Sequence, residues 1–328
     1  MIETTHLGDG LDIPRVINGM WQVSGSHGYI DGAAAVSEMA KYCSAGLTAW
    51  DMADIYGPAE AIFGRHMRSN ACPQTVGLTK FVPSPGPMTR GIVRYGIEQS
   101  ISRMSVEKIA LLQFHWWDYA DSRYLDAVDC LAELANEGRI SHLGLTNFDT
   151  SHMEEICERS PIATNQIQYS VLDTRPGRLM APACKRHGVW LLCYGVLLGG
   201  FLSESYLGAP EPARFQLNTA SLLKYKGMID AWGGWQLFQE LLTALDAIAR
   251  RHGVSIANVA TRYVLDRPAV GAVIIGARLG IAEHIHDNLH AFEFELARDD
   301  LDCIKAVTSK ANDIFEVIGD CGAEYRRM

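Results

Sequence analysis

Short apolar runs alternate along most of this chain with longer stretches in which apolar residues recur every three or four positions. The runs lie near Val16–Gly19, Leu47–Trp50, Thr75–Leu78, Ile109–Phe114, His142–Leu145, Thr164–Gln168, Val189–Cys193 and Val273–Ile275. Each reads as a strand. Between them, Gly32–Ser44, Thr89–Met104, Tyr124–Glu137 and Leu237–Arg251 carry helical spacing. Eight β-then-α repeats without a break in composition predict one domain over residues 1–328, a closed (β/α)8 TIM barrel. Ahead of the first run, Gly8-Asp9-Gly10 within Thr5–Leu11 predicts an N-terminal β-hairpin.

An open doubly wound sheet is the alternative. It needs a Gly-x-Gly-x-x-Gly turn between strand and helix, which neither Gly25-Ser-His-Gly28 nor Gly199-Gly200 supplies. The connection after the seventh run, from Gly195 to Gln236, is long for a compact domain. In a barrel it is expected to be a loop folding over the active face.

Composition narrows the class. Hydrophobic residues make up 48% and charged residues 20%, which suits a globular core, and the net charge of −9 argues against a nucleic-acid surface. No apolar stretch is long enough to span a bilayer, and the amino terminus lacks a signal-peptide pattern. The eight cysteines are scattered without a C-x-x-C pair, so reduced thiols in a cytoplasmic protein are expected. The oligomeric state is not encoded in any visible pattern.

Four polar residues stand at or just past strand-like runs: Asp51, Tyr56, Lys80 and His115. Successive strands of a parallel barrel deliver their carboxyl ends to one face, so these groups are expected to converge. An ammonium beside a phenol lowers the phenol's pKa, and a carboxylate can hold that ammonium in place. The expectation is that Lys80 acidifies Tyr56, with Asp51 positioning Lys80. His115 would donate a hydrogen bond to a substrate oxygen or share the tyrosine's proton.

The segment Asp51-Met-Ala-Asp-Ile-Tyr-Gly57 resembles the Asp-x-Ala-x-x-Tyr-Gly segment of the aldo-keto reductases. The likeness continues through Leu78-Thr-Lys80, Leu111-Leu-Gln-Phe-His115, Gly138-Arg-Ile-Ser-His-Leu-Gly-Leu-Thr-Asn147, Asn165-Gln-Ile-Gln-Tyr169, Tyr194 and Ile275-Gly-Ala-Arg278. The resemblance implies reduction of an aldehyde or ketone by a nicotinamide nucleotide, without metal or flavin. Hydride would pass from nicotinamide C4 and the proton from Tyr56, with Asp51, Tyr56, Lys80 and His115 as the catalytic tetrad. Steroid double-bond reductases of similar pattern carry Glu where His115 stands, which favours carbonyl chemistry here.

Cofactor contacts are implied in the same way. Thr146, Asn147 and Gln166 would hold the carboxamide, and Tyr194 would stack on the nicotinamide. Gly195, Leu197 and Gly200 would line the pyrophosphate. Gly276 and Arg278 would lie near the adenosine ribose, with His284, Asp287 and Asn288 beyond them. Arg278 favours NADP(H) through a 2′-phosphate, although it could instead cap a helix or pair with Glu283; NAD(H) is the alternative cofactor. Trp21 and Trp116, with Tyr56 and His115, are the expected substrate contacts among six aromatics that also include Trp117, Phe201, Trp232 and Trp235. A small carbonyl compound or a sugar is the expected substrate, with no nucleic-acid or membrane partner. Two alternatives remain: an NAD(P)-dependent aldose or alcohol dehydrogenase working in the oxidative direction, and a cofactor-binding partner subunit with little turnover.

Overall fold

The computed structural model describes residues 2–25 and 30–326. Strands β1 (Thr4–His6) and β2 (Asp12–Pro14) form an antiparallel hairpin. Eight parallel strands follow: β3 (Val16–Gly19), β4 (Ala49–Asp51), β5 (Val76–Phe81), β6 (Ile109–His115), β7 (Ile140–Thr146), β8 (Thr164–Gln168), β9 (Trp190–Tyr194) and β10 (Val270–Gly276). Each pairs with its sequence neighbours, and β10 pairs with both β9 and β3, closing a (β/α)8 barrel. All eight expected strands and the hairpin are present. Positions 26–28, part of the segment weighed as a nucleotide turn, lie outside the described residues.

The helices are α1 (Gly32–Ser44), α2 (Ala59–Ser69), α3 (Arg90–Met104), α4 (Arg123–Asn136), α5 (Thr150–Cys157), α6 (Met180–His187), α7 (Ala220–Trp232), α8 (Gly234–His252), α9 (Ile256–Leu265), α10 (Ile285–His290), α11 (Arg298–Thr308) and α12 (Ile314–Ile318). Local chemistry sets several starts. Asp31 accepts the Ala33 and Ala34 amides ahead of α1, and Asp149 accepts the His152 amide ahead of α5.

Strand alternation then sorts the side chains. Ala49, Leu78, Leu111, Leu192, Ala272 and Ile274 face a core inside the barrel, which Leu7, Leu11 and Ile13 of the hairpin close from below. Trp50, Leu112, Phe114, Ile167, Cys193 and Val273 pack in the main core with residues of the surrounding helices. Two positions along from inward residues, at the carboxyl ends, the same parity presents Asp51, Lys80 and Gln113.

The connection from Gly195 is partly helical rather than an open loop. Thr219 accepts the Leu222 amide to start α7, and Tyr225, Met228, Ile229 and Trp232 are buried along it. These join Phe201, Trp235 and Phe238 in a second core, so Phe201, Trp232 and Trp235 fasten the connection to α8.

The thiols require a correction. Cys43 and Cys72, with Cα atoms 6.4 Å apart, form a disulfide rather than two free thiols. One ends within α1 and the other follows α2, and only tertiary packing brings them together. No helix among the described residues is long and apolar enough to cross a membrane.

Candidate active site

Asp51 closes β4, and three neighbouring strands supply its partners. Lys80 Nζ of β5 donates at 2.5 Å to Oδ2, while Gln113 Nε2 of β6 and Gln166 Nε2 of β8 donate to Oδ1 at 3.0 and 2.7 Å. Lys80 also donates to the Met52 carbonyl at 2.8 Å. Gln166 donates to Gln113 Oε1 at 2.8 Å, so the network is continuous. Burying a charge demands such partners, since both Asp51 and Lys80 are nearly excluded from solvent.

Tyr56 stands on the turn after β4, its ring beneath the Lys80 ammonium at 4.9 Å and edge-on to Trp21 at 4.9 Å. Its hydroxyl makes no hydrogen bond among the described residues. The expected acidification of Tyr56 is not what this geometry produces. Burial, seconded by the Asp51 carboxylate, pushes the phenol well above its ordinary range. Lys80 spends its hydrogen bonds on Asp51 and Met52 rather than on the phenol oxygen. Burial also lowers the Lys80 ammonium, against the opposing pull of Asp51.

His115 closes β6, and its Nδ1 lies 3.1 Å from the Thr146 carbonyl. A carbonyl only accepts, so Nδ1 carries the hydrogen. Burial lowers the ring's pKa to about 4, leaving it neutral near pH 7. Nε2 is therefore an acceptor, buried and without a partner. The expectation that His115 donates to a substrate oxygen changes accordingly: the neutral ring offers a lone pair.

That shift has a measurable consequence. Because the folded pKa lies below the unfolded value of about 6.5, the unfolded chain binds more protons between those values. His115 then costs folding stability as pH falls from about 6.5 to 4 and adds no further change below. Asp54, raised to about 6 by burial, slopes the opposite way over part of this window. The expected result, by urea unfolding, is a stability difference between wild type and His115→Gln that moves by about 3 kcal/mol across it. A difference independent of pH refutes the assignment.

The expected carboxamide residues are also assembled. Thr146 ends β7, its hydroxyl donating to the Gln166 carbonyl at 3.3 Å. Asn147 adopts a left-handed backbone, φ 59°, and its Oδ1 accepts the Tyr194 hydroxyl at 2.7 Å. Gln166 points into the Asp51 network. Gly195 packs against the Tyr225 hydroxyl, where a Cβ would lie 2.5 Å away, and Gly200 opens onto free space at φ 104°. Leu197 lies between them in the same tight turn.

Gly276 ends β10 against the side chain of Gln22. Arg278 is exposed and makes no ion pair or hydrogen bond through its side chain among the described residues, so it neither pairs with Glu283 nor caps a helix. His284 is exposed, Asp287 half-buried and Asn288 buried at the adjoining α10. Asn258 fastens this turn by donating to the Asp287 carbonyl at 2.8 Å.

Of the two expected tryptophans, only Trp21 reaches the tetrad. Trp116 is buried, its indole N–H donating to the Asp118 and Asp121 carbonyls at 2.8 and 2.9 Å. Its neighbour Trp117, 40% exposed, lies edge-on to His115 at 4.3 Å instead. Strand parity, counted from His115, gave Trp116 the outward side with Phe114.

Sequence reasoning also missed Gln113, Gln22, Ser24, Lys224 and Tyr325. Parity flags Gln113, two residues before His115. Nothing in the pattern flags Tyr325, whose ring meets His115 edge-on at 6.3 Å from the far end of the chain.

A nicotinamide nucleotide fits these residues. Gln22 Oε1, Ser24 Oγ and His115 Nε2 are buried polar atoms without partners among the described residues, and Gly200 leaves an open approach to backbone.

Comparison with known proteins agrees with this geometry. The model of the Aldo/keto reductase family matches residues 15–309. Flagellar radial spoke protein 5 of Chlamydomonas reinhardtii is 31% identical over 180 residues, covering 49% of this chain but 34% of that longer protein. L-glyceraldehyde 3-phosphate reductase of Escherichia coli K12 is 25% identical over 304 residues, 86% of this chain and 85% of that one. Among solved structures, a glycerol dehydrogenase from Gluconobacter oxydans superposes with a TM-score of 0.80 at 22% identity, over 94% of this chain and 96% of that one. A barrel with these strand-end residues, matched to one family model along nearly its whole length, belongs to the aldo/keto reductase family.

Proposed function

We propose that this protein reduces a small aldehyde or ketone to an alcohol with NADPH, Tyr56 providing the proton. The observation that carries this reading is Tyr56, its ring 4.9 Å from an ammonium held by Asp51 and its hydroxyl without a hydrogen bond among the described residues. When bound, the dihydronicotinamide supplies a hydride to the carbonyl carbon. Tyr56 gives its proton to the carbonyl oxygen, and His115 Nε2 accepts a hydrogen bond from the hydroxyl that results. Trp21 and Trp117 wall the substrate, while Thr146, Asn147, Gln166 and Tyr194 orient the nicotinamide.

Reduction is proposed ahead of an aldose or alcohol dehydrogenase activity on the activity named for one relative, an L-glyceraldehyde 3-phosphate reductase. Incubation with NADP⁺ or NAD⁺ and a sugar panel tests the oxidative direction. The activity named for that relative also supports a small polyol-like carbonyl substrate for this chain. Residues 1–328 act as one domain in this reading. The test is NADPH oxidation followed over a panel of aldehydes, ketones and sugars. Turnover on none of them, with tight nucleotide binding, would favour a partner-subunit role.

Arg278 is the proposed 2′-phosphate contact, its side chain being exposed and without a partner among the described residues. Arg278→Ala is expected to weaken NADPH about tenfold and NADH less than twofold, read by nucleotide fluorescence titration. Equal losses would remove Arg278 from phosphate recognition.

A further inference from the structure

The last described segment of the chain lies across the catalytic face, clamped at several points. Arg175 after β8 bonds Asp173 at 2.7 Å, Glu324 at 3.0 Å and the carbonyls of Gly319 and Asp320 at 3.3 and 3.1 Å. Asp320 accepts the Thr150 amide at 2.8 Å. Gly322, at φ 80°, rests so closely on the Asn147 carbonyl that any Cβ would collide with it. Arg326 stacks over Tyr119 at 3.9 Å and donates to its hydroxyl.

Between these clamps Tyr325 reaches inward. Its hydroxyl accepts from Lys224 Nζ at 2.6 Å and lies 3.1 Å from the Tyr194 hydroxyl, which in turn holds Asn147 Oδ1. Lys224 makes no carboxylate ion pair among the described residues; its ammonium sits over the rings of Tyr325, Tyr194 and Tyr225 at 4.5 to 5.3 Å. The Tyr325 ring thus meets His115 edge-on at 6.3 Å while its hydroxyl meets that of Tyr194. In the cofactor reading above, the nicotinamide would be held by Tyr194 and Asn147, and the Tyr325 hydroxyl engages the first of these directly and the second through it.

We infer that residues 319–326 form an autoinhibitory strap whose Tyr325 holds the nicotinamide seat, latched by Lys224 and Tyr194, until the nucleotide displaces it. This inference rests on the cofactor reading above. A nucleotide that binds only the open form has its affinity reduced by the open fraction. Tyr325→Ala empties the seat, Tyr325→Phe keeps the ring but cuts both hydroxyl contacts, and Lys224→Met removes the latch donor.

The experiment titrates NADPH by fluorescence into full-length wild type and the three variants, with hydrogen exchange of residues 319–326 measured with and without nucleotide. Tyr325→Ala is expected to bind about tenfold more tightly, with Tyr325→Phe and Lys224→Met about threefold. Saturating NADPH is expected to speed exchange in the wild-type strap. Unchanged or weaker affinity in Tyr325→Ala, or strap exchange indifferent to NADPH, overturns the strap while leaving the cofactor reading standing. Absence of nucleotide binding by wild type and Tyr325→Ala alike overturns both.

Discussion

Replacing Tyr56 with Phe is expected to lower kcat for carbonyl reduction by about 10²–10⁴-fold while leaving the NADPH dissociation constant within about twofold. The ring keeps its edge contact with Trp21 and its place under Lys80, so only the proton donor disappears. Folding stability should barely move, because the hydroxyl makes no hydrogen bond among the described residues. Single-turnover kinetics separate this from a change in product release. Wild-type rates in a variant whose chemistry is rate-limiting would exclude Tyr56 as the acid.

Lys80→Met should damage the fold as well as the reaction. Asp51 is buried, and without Lys80 it keeps only the Gln113 and Gln166 amides against a full negative charge. Removing one partner of a buried pair typically costs about 3–5 kcal/mol. Urea unfolding is expected to show a loss of that size, and Lys80→Met/Asp51→Asn should recover much of it by discharging the stranded carboxylate. Both variants should remain inactive, since neither can rebuild the ammonium over the Tyr56 ring. A Lys80→Met variant within about 1 kcal/mol of wild type would mean that the buried pair does not support the fold.

The barrel and much of its active end were legible because strand periodicity survives any tertiary detail. Val16–Gly19 and Thr164–Gln168 coincide with their strands, and Asp51 and His115 are the closing residues of β4 and β6. Motif resemblance carried the tetrad further than composition could. The charge argument drawn from the sequence misjudged what the residues do to one another, however. Acidification of Tyr56 by Lys80 follows from proximity alone, yet in the folded protein Lys80 is turned to Asp51 and burial dominates the phenol. The same holds for Trp116 and Trp117, adjacent in sequence and opposite in role.

By itself, the sequence determined the order of strands and helices, the parity that points alternate residues inward, and the polar groups brought to one barrel end. These depend on neighbours a few positions away, where backbone geometry permits few outcomes. Only the tertiary structure decided the protonation of Tyr56 and His115, the pairing of Cys43 with Cys72, and the arrival of Tyr325 beside Tyr194. Each arises between residues distant along the chain, and desolvation and contact there are set by packing that no local pattern records.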